Sequence, residues 1–165
     1  MASDQPAARE LFEHELAVIN DSEQKFAEAL GKIVPELNSA KVQELLGKYH
    51  TITQGQVKRL EDIFRLIKLP PRRDTSEATD GIIAEFANYV GAETPTPATY
   101  DACACNMVAR IASHHSTAYK QLNGLANASN TNSCAILLYD SQTEERDMVQ
   151  NMDRLFVEIY QALSF

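Results

Sequence analysis

The chain has 165 residues, 44% hydrophobic and 23% charged, with a formal net charge of -8. That length fills one core and is short for two, so a single domain over residues 1–165 is expected, and the composition is that of an ordinary globular protein rather than a disordered one. The acidic balance argues against nucleic acid, whose affinity comes from clustered Lys and Arg. The one compact basic spot, Arg72-Arg73 after Pro70-Pro71, reads as a solvated linker. No apolar run approaches the roughly 20 residues that span a bilayer, and the first six residues lack the basic and apolar regions of a signal peptide, so a cytoplasmic protein without a membrane partner is expected.

With six Gly, six Pro, no Trp and no long alternating β-branched stretch, the sequence favours helices over sheets. Pro35, Pro70-Pro71, the stretch from Gly91 to Pro97 and the stretch from Asn127 to Asn132 cut it into five. The first helix is predicted near 5–33, with Phe12, Leu16, Ile19, Phe26, Leu30 and Ile33 on one face. The second, near 39–68, is capped by Asn38 or Ser39 and carries Val42, Leu45, Tyr49, Ile52, Leu60, Ile63 and Ile67. Gly55 within it costs about 1 kcal/mol relative to Ala.

A short helix near 75–91 follows, with Asp74 and Glu77 spaced as a capping box. The next, near 97–126, begins at Thr96-Pro97 and offers Met107, Ile111, Ala118, Leu122 and Leu125. The last, near 132–163, offers Leu137, Met148, Met152, Leu155, Ile159 and Leu163. Four long helices with a short one between the second and third imply an all-α, ferritin-like four-helix bundle, the short helix lying in the crossover between two hairpins.

Polar residues interrupt these stripes. Glu23 sits four residues after Ile19 and three before Phe26, so a helix that buries those two points this carboxylate inward. Glu144, seven after Leu137 and four before Met148, repeats the situation. A buried carboxylate needs a partner, a proton or a metal. Two readings stay open: surviving ligands of a metal site, or a buried polar network with Tyr49, Gln56 and His114 or His115. Consecutive residues diverge by about 100° on a helix, so at most one of His114 and His115 points fully inward. His14 and His50 have weaker claims.

Di-iron and di-manganese bundles take a Glu from each of two helices and Glu-x-x-His from the other two. No Glu-x-x-His occurs here, nor a nucleophile elbow, a phosphate loop or His-Glu-x-x-His. Cys103, Cys105 and Cys134 form no CxxC and read as reduced, packed thiols.

Leu11-Phe12-Glu13-His14-Glu15-Leu16, Ser22-Glu23-Gln24-Lys25 and the run from Thr53 to Glu61 (TQGQVKRLE) resemble the bacterial YciE/YciF family, whose pattern has L-F-x-H-E-L, A-E-K-Q-L and E-E-T-Q-G-Q at matching separations. Weaker matches follow at Asp80 to Glu85, Asp101, Tyr119, Leu137-Leu138 and Glu144-Glu145. The resemblance implies a ferritin-like bundle with a carboxylate-rich interior, a link to bacterial stress and a homodimer, and it assigns Glu23 and Glu144 to acidic positions. Thr51-Ile52 and Ala112-Ser113-His114-His115 stand where the family carries acids, so the implied metal site is reduced.

The expectation is therefore a stress-associated, non-catalytic bundle with no required cofactor. The alternative is a protein holding one iron, manganese or zinc ion through Glu23, Glu144 and His114 or His115, with Glu85 or Asp80 from the crossover helix. A third reading, an adaptor bundle, rests on the acidic helix faces.

Overall fold

A computed structural model describes residues 5–163. Its helices are α1 Gln5–Ile33, α2 Ala40–Leu66, α3 Glu77–Glu93, α4 Pro97–Ala128 and α5 Ala135–Leu163, with single 3-10 turns at Val34–Glu36 and Asn132–Cys134. No strand occurs among the described residues, as the all-α expectation requires. The sequence signals explain most boundaries. Ser39 caps α2 by accepting from Val42 N, and Thr96 caps α4 by accepting from Thr99 N, with Pro97 in the first turn. The predicted capping box at Asp74 does not form. Ser76 is the residue before α3, while Asp74 donates its amide to Ala17 O and pairs through its carboxylate with Arg72 and His14.

Two apolar clusters fill the bundle. One gathers Phe26, Leu30 and Ile33 of α1, Val42, Leu46 and Tyr49 of α2, Ala104 to Ala112 of α4, and Met148, Met152 and Leu155 of α5. The other gathers Phe12, Leu16 and Ile19, then Leu60, Ile63 and Phe64, then Tyr119, Leu122 and Ala126, with Leu138. The number order fixes the directions: the end of α1 meets the start of α2 and of α4, and the end of α5 meets the start of α4. Helices α1 and α5 therefore run one way, α2 and α4 the other.

Because α2 and α4 are parallel, the chain between them must return along the whole bundle. The 17 residues of α3, at about 1.5 Å each, cover about 25 Å of that path. The crossover is lashed to α1: Asn20 Nδ2 donates to Arg72 O, and Arg73 Nε and the Ser76 amide donate to the two oxygens of Asp21. Arg72 and Arg73, read as a solvated linker, thus fasten this strap. At the opposite end Asp101 accepts from the amides of Asn38 and Ser39 and from Asn38 Nδ2, closing the turn into α2.

Gly55 is not explained by close packing, since a Cβ there would meet nothing within 4 Å. All three cysteines are free thiols; burial pushes Cys105 up to about 12. No helix of the described residues is long and apolar enough to cross a membrane.

Candidate metal centre

The two apolar clusters are separated by one polar layer at mid-height, to which every long helix contributes. Glu23 lies between Ile19 and Phe26 on α1, and Thr53 and Gln56 between Tyr49 and Leu60 on α2. His115 lies between Ala112 and Tyr119 on α4, and Ser141 and Glu145 between Leu138 and Met148 on α5. Glu23, Thr53, Gln56, His115 and Glu145 are 0% exposed. Each occupies a core position of its helix, so the fold that buries the apolar stripe buries these groups with it.

His115 is the hub. Its Nδ1 lies 3.4 Å from Glu23 Oε1 and 3.6 Å from Glu145 Oε1, and its Nε2 lies 2.5 Å from Ser22 Oγ. The ring packs edge-on against Phe26, with centroids 5.7 Å apart, which holds its plane. Tyr119 Oη donates to Glu23 Oε1 at 2.8 Å. The Gln56 amide stands beside Glu145 without a hydrogen bond of normal geometry. One ligand atom each from Glu23, His115 and Glu145 lies within 4.8 Å of the others.

The electrostatics follow from burial and crowding. Burial opposes a charged His115, but the two carboxylates outweigh it and raise the imidazole to about 10. Burial and the charge of Glu23 raise Glu145 to about 7, against the pull of His115. Burial and Glu23 also push the Tyr119 phenol well above its ordinary value.

Among the described residues, seven buried side-chain polar atoms have no hydrogen-bond partner: Glu23 Oε2, Thr53 Oγ1, both amide atoms of Gln56, His115 Nδ1 and both oxygens of Glu145. All belong to this layer. Each such atom typically costs about 1–3 kcal/mol when left unsatisfied. Four of them are carboxylate or imidazole donors of the kind that hold first-row cations, and two carboxylates with a neutral imidazole balance a divalent charge. The residues fit such an ion.

The predicted ligands divide. Glu23 and His115 are in the centre. Glu144 is not: its carboxylate is about one-third exposed and forms a two-pronged pair with Arg59 at 2.8 and 3.0 Å, and the inward acid is Glu145. Leu137-Leu138 and Glu144-Glu145 are both pairs, so a frame shifted by one residue reads equally well. The heptad Leu138, Glu145, Met152 is the one that packs. His114, one position round α4, is half-buried beside Leu11, Glu15 and Leu125 in the groove between α1 and α4, and burial lowers its pKa.

Asp80 and Glu85 are also outside, paired with Lys25 and Arg110. Tyr49 is buried but turns away from the layer, toward Met148 O at 3.5 Å and the Asn151 side chain. Gln56, expected in a polar network, is in the layer. Glu145 was the residue missed as an inward acid, and its one signal was its place three residues before Met148 and seven before Met152.

A bundle of four long helices around a buried Glu–His–Glu layer is the class these features define. The chain belongs to the family described as a domain of unknown function (DUF892), which matches residues 7–163. Its structure is similar to that of the E. coli stress protein YciF, with a TM-score of 0.85 and 22% identity over 98% of this chain and 99% of that one. It is equally similar to YcfI of Rhodopseudomonas palustris, with a TM-score of 0.85 and 22% identity over 93% of this chain and 97% of that one. Together these place the chain in the YciF-type family expected from its motifs. No curated protein matches the sequence.

Proposed function

We propose that the protein binds a single divalent first-row ion, iron, manganese or zinc, at the middle of its bundle, through Glu23, His115 and Glu145, with Gln56 beside them. The observation that supports this most is the concentration of partnerless polar atoms in one layer whose donors suit such an ion. When bound, the ion would supply Lewis acidity and, for iron or manganese, a change of oxidation state. The chain's own residues bind and enclose it: Tyr119 holds Glu23, Ser22 holds His115, and the apolar clusters above and below keep out bulk water.

The capacity is for one ion. The positions where a two-metal bundle carries Glu-x-x-His hold Thr53-x-x-Gln56 on α2 and Glu145-x-x-Met148 on α5, so one carboxylate and both imidazoles of that pattern are missing. A ferritin-like ancestry with most ligands lost, and a stress-associated role like that named for YciF, belong to the same proposal, and no catalytic role is assigned.

The test is titration of chelator-stripped full-length protein with Mn2+, Fe2+ under anaerobic conditions, or Zn2+. One equivalent should bind, and at 100 times Kd it should add about 2.7 kcal/mol. In a chain of this size that raises Tm by roughly 5 to 10 °C. Absence of uptake and of any shift would favour the second reading, an ion-free network in which a charged His115 sits between two carboxylates, supported by their 3.4 and 3.6 Å separations.

The homodimer implied by resemblance is part of the proposal, with the outer face of α5 as its surface. Ile136 and Tyr139 at one end and Val157 and Tyr160 at the other are 56–74% exposed, with Arg146 and Asp153 exposed between them. Laid antiparallel on a second copy, the apolar ends meet each other's opposite ends and Arg146 comes within a turn of Asp153, a self-complementary face. Sedimentation should give two chains for the wild type and one for a Tyr139→Glu, Val157→Glu variant with unchanged helicity. A single-chain wild type would remove this surface from the proposal.

A further inference from the structure

Helix α3 has one buried residue, and it is polar. Ile82, Ile83 and Phe86 rest partly buried on the bundle, but Thr79 alone is enclosed. Its hydroxyl is hydrogen-bonded to Ser22 Oγ and accepts from Ser76 Oγ at 3.2 Å. Ser22 Oγ in turn contacts His115 Nε2. Three hydroxyls, each no more than 2% exposed, therefore run without a break from the crossover strap to the imidazole of the centre. The same turn of α1 serves both ends: Asn20, Asp21 and Lys25 grip residues 72–80, while Ser22 and Glu23 face the polar layer.

An imidazole ligates through one nitrogen, and the hydrogen bond at the other decides which one is free. With Nε2–H donating to Ser22 Oγ, the lone pair of Nδ1 is directed at the carboxylates of Glu23 and Glu145. Without a hydroxyl at Thr79, the Ser22 side chain loses the partner that fixes its rotamer, and the imidazole loses its orientation in consequence.

Resting on the one-ion reading above, we propose that Ser22 and Thr79 are positioning residues that hold His115 Nε2 so that Nδ1 faces the ion, and that ion loading is thereby coupled to the docking of α3. Coupling of this kind is reciprocal: whatever fastens the strap tightens ion binding, and the ion fastens the strap by the same factor. An apolar anchor at position 79 would hold α3 equally well and would carry no such coupling.

The test uses the full chain and Co2+, whose visible absorption reports its ligands. Thr79→Val keeps the side-chain volume and removes the hydroxyl, Thr79→Ser restores it, and Ser22→Ala breaks the chain from the other side. Thr79→Val and Ser22→Ala should each weaken Co2+ binding by roughly 10- to 100-fold, the range for residues that orient a ligand, with Thr79→Ser close to wild type. Hydrogen exchange of the amides at 77–82 should slow when wild-type protein takes up Co2+ and should not respond in Thr79→Val. Equal affinity and an equal spectrum for Thr79→Val, or exchange at 77–82 that ignores Co2+ in the wild type, would overturn the inference while leaving the one-ion reading standing. A wild type that binds no Co2+ would overturn both.

Discussion

Glu145→Gln should reduce divalent ion affinity by more than about 100-fold, while Glu144→Gln should leave it within about threefold of wild type. The two residues are neighbours in sequence and stand about 100° apart on α5. Glu145 is enclosed, and both its oxygens are without a hydrogen-bond partner. Its loss removes a ligand and half of the negative charge that balances the ion, a larger effect than the 10- to 100-fold carried by residues that only orient ligands. Glu144 spends its carboxylate on Arg59, whose guanidinium also donates to Ser141 Oγ at 2.8 Å. Because that pair is partly exposed, breaking it should cost at most about 1 kcal/mol of stability. Calorimetric titration of both variants decides the matter; tight binding by Glu145→Gln, or its loss in Glu144→Gln, would move the centre to the other face of α5.

In chelator, the stability of the metal-free chain should fall as pH rises from 7 to 9, by about 1.4 kcal/mol per pH unit once the unfolded histidine is neutral. The folded protein holds a proton on His115 up to about 10, whereas in the unfolded chain it leaves near 6.5. Between those values the folded state binds more protons, so raising the pH favours unfolding. Glu145, raised to about 7, adds the same trend at lower pH, from its unfolded value near 4.5 up to about 7. A bound divalent ion displaces the His115 proton, so the loaded protein should lose this dependence and bind its ion more tightly as pH rises. Urea unfolding at pH 6, 7, 8 and 9, with chelator and with Mn2+, measures both arms. A flat profile in chelator would mean that the imidazole is neutral in the folded protein.

Much of the fold was legible in the chain because its cues are local. Pro35, Pro70-Pro71 and Thr96-Pro97 interrupt or start helices through their own backbones, and the long helices end within a few residues of where those breakers put them. The position of Glu23 was equally readable, since Ile19 and Phe26 flank it without an alternative frame. The choice between Glu144 and Glu145 was not. A doubled Leu and a doubled Glu leave two heptad frames of equal quality, and His114-His115 poses the same ambiguity on α4. The shift of the α3 start from Asp74 to Ser76 was likewise out of reach, because the contacts that hold this turn on α1, Asp74 to His14 and Ala17 and Ser76 to Asp21, join residues more than fifty positions apart along the chain.

The sequence by itself determined an all-α chain with four long helices and one short one, and an inward-facing acid at Glu23, because helix period and chain breakers act over a few residues. Only the tertiary structure decided which acid and which histidine share the buried polar layer, that Thr53 and Gln56 stand in that layer with them, and that α3 is tied to it through Thr79. Those outcomes depend on the rotation of each helix about its own axis. That rotation is set by how four apolar faces pack together, and a single helix carries no record of it.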